Sequence, residues 1–250
     1  MRVVICSTPA SAGDLGAAVV AARLNEVLAG RERARLLLST GESQFETLRS
    51  LVRRPVEWER VDAFHLDEYV ALPPEHPASF RRYLDERVAS VVPLRMHHVD
   101  PSSPGELDRL SETVAASPMD VALIGIGQNG HIAFNDPPAD FSTTAPYLEV
   151  ELDAACRAQQ VREGWFETDA DVPQRAVTMS VHEIMRSLQI VSVVPHPAKA
   201  PAIRRLLTSN EVTQELPASM LTRHANALLV LDRASSQLLP EEVFKRCIVL

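Results

Sequence analysis

The sequence predicts a doubly wound α/β fold, in which helices cover both faces of a mainly parallel sheet. Short runs rich in Leu and β-branched residues alternate with amphipathic segments, as βαβ units require. Residues 121–126 are apolar apart from Gly125 and do not alternate with polar residues, which is typical of a strand covered on both faces. The length of 250 residues with 46% hydrophobic content suffices for one α/β domain over residues 1–250.

The local pattern defines the first strands and helix. Residues 2–6 form a predicted strand, and Thr8-Pro9 begins a helix because proline is favoured in a first helical turn. Gly30 ends this helix, and residues 35–38 form the second strand. Helical spacing assigns four apolar side chains to the inward face of the helix: Leu15, Ala18, Val19 and Ala22.

The middle of the chain continues this alternation. Residues 60–66 form a third predicted strand, and Asp67-Glu68-Tyr69 follows at its carboxyl end. Acidic residues are poor strand formers, so the acidic pair is either a solvated strand end or part of a site. Two helices precede the central strand, and their inward side chains include Phe80, Tyr83, Leu84, Leu107, Leu110 and Val114.

The central strand at residues 121–126 runs directly into a cluster of glycines and polar residues. Glycines allow backbone conformations that other residues avoid and let a ligand approach the main chain. In open α/β sheets, ligands bind at the carboxyl ends of strands, which is where Asn129, His131 and Asp136 lie in this sequence. The alternative is a tight turn in which His131 is only a hydrogen-bonded loop residue.

The second half of the chain begins with a looser pattern. Residues 139–175 contain no clear sheet strand and are predicted to form a lid, with a structural insertion as the alternative. Two β-branched runs follow at residues 176–179 and 188–194, and a third at residues 227–231 forms the last core strand. Residues 244–250 are either an edge strand or a docked tail.

A hydroxyl-rich turn, Ser39–Gln44, connects the second strand to the next helix. Free N–H groups and the positive end of a helix dipole make such a junction suitable for an anion. A simple helix N-cap by Ser39, Thr40 or Ser43 is the alternative. Glu42 counts against an anion, because its carboxylate would repel a phosphate.

Composition excludes several classes of protein. The formal net charge of −8 and the pI of about 5.5 argue against nucleic acid as a partner, because phosphate backbones require a basic surface. The three cysteines have no spacing typical of a disulfide framework or zinc site, so we expect no metal and a reducing cytoplasm. No apolar run approaches the roughly 18 residues of a membrane span, so no membrane association is expected.

Three motifs together resemble the glucosamine-6-phosphate deaminase (isomerase) family. They are Phe64–Val70 with the prolines that follow it, Gly125–Pro137, and the turn Ser39–Gln44. The resemblance covers nearly the whole chain in order. It implies a Rossmann-like fold with a lid. In the related 6-phosphogluconolactonases, Thr-Ala-Ser-Leu-Phe typically follows the Gly-His pair, whereas Ile132-Ala-Phe-Asn135 follows it here.

The resemblance also implies catalytic roles. Family members convert an aldose 2-amino-6-phosphate to a ketose phosphate and ammonia, and no cofactor is expected. Asp67 matches the carboxylate that moves a proton between sugar carbons 2 and 1. His131 matches the group that opens the sugar ring, a step that suits imidazole because it exchanges protons near neutral pH. Asn129 and Asp136 occupy the rest of the histidine relay, where family members usually have Asp and Glu, so we expect an altered ring-opening step.

For the substrate phosphate, the resemblance points to the turn and to two cations, of which the lid would deliver the arginine. A guanidinium group and an ammonium group are a usual combination for a terminal phosphate. A surface arginine and a lysine lying along the surface are the alternatives. The implied substrate-binding residues are Thr40, Gly41, Glu42, Ser43, Arg162 and Lys199.

Two alternatives to an amino sugar phosphate deaminase remain open. One is a hydrolase of the lactonase type, and the other is a non-catalytic sugar-phosphate sensor. The expected partner is in each case a small-molecule sugar phosphate, and a homo-oligomer is left open. Residues 144–149 match the segment that holds an N-acetylated effector in allosteric family members, but they contain no Lys or Arg. We therefore expect no such effector site.

Overall fold

The computed structural model describes residues 1–209 and 211–250, and two β-sheets organise this part of the chain. The larger sheet contains eight parallel strands in the order β11-β1-β10-β9-β6-β2-β3-β5, and the smaller contains three in the order β4-β8-β7. The strands are β1 (Arg2–Cys6), β2 (Ala34–Leu38), β3 (Val61–His65), β4 (Asp67–Tyr69), β5 (Arg95–His97), β6 (Val121–Ile124), β7 (Tyr147–Glu151), β8 (Arg175–Met179), β9 (Ile190–Val194), β10 (Ala227–Asp232) and β11 (Ile248–Val249).

Helices cover both faces of the larger sheet, which confirms the predicted fold class. Helices α1 to α3 pack on one face, and α4, α6 and α7 pack on the other. Both apolar clusters contain buried side chains from alternate positions of the same strands, as a sheet covered on both faces requires. The helices are α1 (Pro9–Leu28), α2 (Phe45–Leu51), α3 (Phe80–Leu84), α4 (Glu106–Ala115), α5 (Ala154–Arg162), α6 (Val181–Met185), α7 (Ala200–Thr208) and α8 (Glu241–Phe244).

The inward face of α1 differs from the one predicted. Leu15, Ala18 and Val19 are only partly buried and Ala22 is exposed, so the predicted face is wrong. Small residues face inward instead, because α1 lies very close to α2 and the sheet. A Cβ on Gly16 would overlap the Val193 side chain. The buried residues of this helix are Ala12, Gly13, Gly16, Ala17, Val20, Ala21, Leu24, Val27 and Leu28.

The smaller sheet corrects one further prediction. Residues 139–175 do contain a strand, β7, which pairs antiparallel with β8. Strand β8, which confirms the strand predicted over residues 176–179, belongs to this smaller sheet and also pairs antiparallel with β4. These pairs join segments far apart in sequence, which local patterns do not reveal.

The chain end forms an edge strand, one of the two predicted alternatives. Ile248 and Val249 of β11 lie beside Val4 and Ile5 of β1 in parallel register. No helix within the described residues has both the length and the apolar character needed to cross a membrane.

Glu68 holds the start of α3 against β4. Its buried carboxylate accepts hydrogen bonds from the backbone N–H groups of Tyr69, Phe80 and Arg81 at 2.9, 3.2 and 2.7 Å, and from the Ser79 hydroxyl at 3.0 Å. Burial raises the pKa of Glu68, and these four hydrogen bonds oppose the increase. Glu68 therefore has a structural role, whereas the carboxylate of its neighbour Asp67 has no such hydrogen bonds among the described residues.

Glu68→Gln is expected to lower the free energy of unfolding by about 2 kcal/mol, because hydrogen bonds to a buried carboxylate contribute more than neutral ones. Urea unfolding followed by circular dichroism measures this change. The control is Glu86→Gln, since Glu86 is exposed and forms only a surface ion pair with Arg82. Its expected effect is within about 0.5 kcal/mol. Equal unfolding midpoints for both variants and the unaltered protein would contradict the role given to Glu68.

Candidate active site

A cavity of about 280 Å³ opens at the carboxyl ends of the neighbouring strands β2, β6 and β9. Its size is close to the lower end of the roughly 300–1,000 Å³ of small-molecule sites. The position is the one that open α/β sheets use for ligands. Its lining residues include Thr40, Gly41, Glu42, Ser43, Asp67, Gly127, Gln128, His131, Gln159, Gln160, Glu163, Trp165, His196 and Lys199.

The glycine motif after β6 places His131 in the cavity wall. The loop turns back on itself, because the N–H of Gly127 donates to the carbonyl of His131 at 2.9 Å. The imidazole ring then lies directly against the Cα atom of Gly127, and a Cβ there would overlap the ring. Gly130 has a φ of 93°, in the left-handed region that favours glycine. The local sequence therefore determines where the imidazole points.

The Asp136 carboxylate orients the His131 ring through its Nδ1 atom. Its Oδ1 atom lies 2.8 Å from His131 Nδ1 and accepts a hydrogen bond from Asn129 Nδ2 at 3.0 Å. Asn129 Oδ1 in turn accepts from the His131 backbone N–H at 3.0 Å. Burial alone would raise the pKa of Asp136, but His131, Asn129 and the thiol of Cys156 together lower it. The Asp136 carboxylate thus stays charged beside the imidazole, although it is one methylene shorter than glutamate.

Asp67 occupies the cavity wall as a buried carboxylate that is 5% exposed. Burial raises the pKa of Asp67 well above its usual range, and the neighbouring Glu68 adds to the increase. A carboxylate with a raised pKa is a better proton acceptor than one in water. Its environment therefore suits a general base.

Strand β8 links the segment that carries Asp67 to the glycine motif. Thr178 lies opposite Asp67 in the β4–β8 pair, and its hydroxyl accepts from the Phe134 backbone N–H at 3.1 Å. The Asn135 side chain donates to the Met179 carbonyl at 2.9 Å. One strand thus holds both segments, so the positions of Asp67 and His131 are set by the same element.

The turn after β2 has the conformation its sequence requires. Gly41 has a φ of 98°, and the Tyr83 hydroxyl donates to its carbonyl at 2.9 Å. The Gln44 side chain is buried and donates to the Val193 carbonyl at 3.1 Å, which ties the turn to β9. Gln44 therefore has a structural role, and Glu42 and Ser43 face the cavity.

Lys199 reaches the same end of the cavity from the other side. It ends a short helical turn, Pro197–Lys199, which directly follows β9 and precedes α7. The side chain is buried, with 9% exposure. Burial lowers the pKa of Lys199, and the carboxylates of Glu163 and Glu42 oppose this decrease. The ammonium group and the Gly41 turn therefore lie on one end of the cavity.

The structure brings most of the predicted site residues together. Asp67, His131 and Lys199 line the cavity with the turn residues Thr40–Ser43, and Asn129 and Asp136 lie behind His131. Arg162 is different, because it is exposed and does not line the cavity. Its guanidinium Nη2 donates to Gln128 Oε1 at 3.5 Å.

Several cavity residues were missed by the sequence analysis, and most of them come from residues 139–175. Gln159 and Gln160 are buried on α5, and Glu163 and Trp165 follow that helix. The available sequence signal was the pair of adjacent glutamines, Gln159 and Gln160. Cys156 of the same helix, whose thiol lowers the pKa of Asp136, was also missed, because nothing in the sequence indicates that the two residues are close.

Within residues 1–209 and 211–250, no set of three or more His, Cys, Asp or Glu side chains is arranged to hold a metal ion. Asp67 and His131, the two residues predicted to handle protons, both line the cavity, and Asp136 lies beside the imidazole.

Together, the doubly wound sheet and this cavity define an α/β protein with a carboxylate and an imidazole at a site for a small polar ligand. The chain belongs to the glucosamine-6-phosphate isomerases/6-phosphogluconolactonase family, whose sequence profile matches residues 7–230. It is an enzyme of the glucosamine-6-phosphate deaminase/isomerase group within that family. The resemblance noted from the three motifs is confirmed.

Individual relatives support this assignment. The chain is 31% identical over 247 residues to a glucosamine-6-phosphate deaminase of Bacillus cereus, and the alignment covers 97% of this chain and 91% of the relative. A monomeric glucosamine-6-phosphate deaminase has a similar structure, with a TM-score of 0.87, 28% identity and coverage of 95% of this chain and 100% of that one. A 6-phosphogluconolactonase of Thermotoga maritima shares the fold, with a TM-score of 0.75, 17% identity and coverage of 93% and 99%.

Proposed function

We propose that the protein converts glucosamine 6-phosphate, or a close amino sugar phosphate, to the ketose phosphate and ammonia. The reaction is an aldose–ketose isomerisation coupled to hydrolysis of a C–N bond. The observation that carries this proposal is the placement of Asp67 and the Asp136-oriented His131 on the wall of one small cavity. Relatives named as deaminases support the same activity.

His131 acts first in this proposal. The imidazole exchanges a proton with the ring oxygen and the anomeric hydroxyl, which opens the sugar to its aldehyde form. Asp136 holds the ring in position, because its Oδ1 atom lies 2.8 Å from His131 Nδ1. Asn129 fixes Asp136 and the loop, because its side chain bonds both.

Asp67 then transfers a proton between carbons of the open sugar. Its carboxylate removes the proton from carbon 2 and returns it to carbon 1, while the aldehyde oxygen gains a proton and the amine loses one, so that carbon 1 becomes an alcohol and the amine at carbon 2 an imine. Water hydrolyses this imine to the ketone and releases ammonia. Burial supports the role of Asp67, because a base that exchanges little with water can return the same proton.

The phosphate is held by the turn and Lys199 in this proposal. Thr40, Gly41 and Ser43 offer hydroxyl and backbone N–H donors, and Lys199 offers a positive charge. Arg162 stays a prediction, since its guanidinium contacts Gln128 of the cavity wall but does not line the cavity itself. Residues 139–175 are proposed to act as the lid, because α5 and the residues after it supply one wall of the cavity.

Ammonia detection with glucosamine 6-phosphate and galactosamine 6-phosphate tests the proposed function. We expect ammonia and a ketose phosphate in equal amounts from at least one of them. 6-Phosphogluconolactone serves as the comparison substrate for the lactonase alternative. Lactone hydrolysis without ammonia release from either amino sugar would replace the proposed activity, and binding without turnover of any substrate would favour a sensor. We also propose that the protein acts in the cytoplasm.

The rate is expected to fall on the acid side of the pH profile, at a pH well above the ordinary range of an aspartate. Only ionised Asp67 accepts the proton, and burial raises its pKa. The profile of kcat between about pH 4 and pH 9 measures this acid limb. A rate that stays constant down to pH 4 would show that Asp67 is not the base whose ionisation limits turnover.

A further inference from the structure

Two carboxylates share the phosphate end of the cavity with Lys199. Glu42 follows Gly41 in the turn after β2, and Glu163 follows the last residue of α5. Both line the cavity, as Lys199 does, and both act electrostatically on its ammonium group. The cavity wall therefore combines two acidic side chains with one basic side chain.

The position of Glu163 is well defined. Gln159, one turn earlier on α5, donates through Nε2 to Glu163 Oε1 at 2.7 Å. The neighbouring Arg162 is exposed and does not line the cavity itself, although its guanidinium donates to the cavity-lining Gln128 at 3.5 Å. Helix α5 thus brings a carboxylate to the phosphate end, where the sequence had led us to expect a guanidinium.

This arrangement is unfavourable for a fully ionised phosphate. A phosphate monoester carries close to two negative charges near neutral pH. The ammonium of Lys199 attracts those charges, but Glu42 and Glu163 repel them. A hydroxyl group, or a phosphate that keeps one proton, avoids much of this repulsion and donates a hydrogen bond to a carboxylate.

We propose that Glu42 and Glu163 are specificity-determining residues, which weaken the binding of a dianionic terminal group relative to a neutral or singly charged one. This inference rests on the proposed function. It concerns the charge of the substrate's terminal group that the same site binds. One carboxylate about 6 Å from a dianion in water-like surroundings weakens its binding by about tenfold. Glu42 is exposed, so its share is the smaller of the two.

The test compares Glu42→Gln, Glu163→Gln and the double variant with the unaltered protein. Titration calorimetry measures the affinity for inorganic phosphate. Ammonia release measures kcat and KM for glucosamine 6-phosphate and for unphosphorylated glucosamine. The matched control is Glu46→Gln, because Glu46 lies four residues after Glu42, pairs with Arg49 and does not line the cavity.

The double variant is expected to bind inorganic phosphate about tenfold more tightly than the unaltered protein. Its KM for the phosphorylated sugar should fall to a similar extent, while KM for glucosamine changes by less than about twofold. The Glu46→Gln control should change none of these values. Unchanged phosphate affinity, or an equal change for both sugars, would overturn the inference.

The calorimetric measurement separates this inference from the proposed function. If no variant releases ammonia from any amino sugar, the proposed function fails, yet phosphate affinity still tests Glu42 and Glu163. If ammonia is released and the phosphate affinity of the double variant is unchanged, the function stands and the specificity inference fails.

Discussion

Asp67→Asn is expected to lower kcat for ammonia release by about a thousandfold, because the amide cannot accept the proton from carbon 2. Substrate affinity should change little, since the amide keeps nearly the shape of the carboxylate. Steady-state kinetics with glucosamine 6-phosphate, combined with calorimetric binding of the substrate, measure both quantities. A kcat within about tenfold of the unaltered enzyme would exclude Asp67 as the base.

Stability provides an independent control for this variant. The folded-state pKa of Asp67 is raised above its unfolded value, so its stabilising contribution is full below the unfolded pKa. That contribution is lost as the pH rises through the folded pKa, because a buried charge then forms. Asp67→Asn is therefore expected to raise the melting temperature near neutral pH and to have no such effect at low pH. A lower melting temperature at neutral pH would mean that the loss of activity reflects unfolding.

Gly127→Ala is expected to lower kcat by about a hundredfold, because the added methyl group occupies the space of the His131 ring. The ring must move away from Asp136, and a displacement of about 1 Å at a catalytic group has effects of this size. Ammonia release measures the loss of turnover. Affinity for inorganic phosphate should remain, since Lys199 and the Gly41 turn are not disturbed.

Two further variants test this explanation. Gly30→Ala is the matched control, because a methyl group there meets nothing within 4 Å. The double variant Gly127→Ala/His131→Ala should be no slower than His131→Ala alone, since the two substitutions remove the same function. An additive loss in the double variant would show that Gly127 acts on something other than the imidazole.

The central sheet and the polar ends of its strands were predictable from sequence. Strands β2, β3, β6, β9 and β10 are apolar runs bounded by turn residues, and buried parallel strands carry this signal within a few residues. The catalytic candidates directly follow such runs. One residue separates Asp67 from the end of β3, and six residues separate His131 from the end of β6.

Packing between distant segments was not predictable in the same way. The face of α1 was misassigned, because close approach to the sheet favours Gly13 and Gly16 over the larger side chains beside them. Strand β7 was missed, because only its partner β8 makes its alternating pattern a strand. The rotation of α5 decides between Arg162 and Glu163 at the cavity, and one position along a helix turns a side chain by about 100°.

The sequence by itself determined the fold class, the family and the positions of Asp67 and His131 at the ends of buried strands. Each follows from local hydrophobic pattern or short motifs, which depend on residues adjacent in the chain. Only the tertiary structure decided that Glu68 caps α3, that Asp136 lies against His131 and that Glu163 lines the same cavity as Lys199. Those placements involve residues that are separated in sequence, so their geometry exists only after the elements have packed.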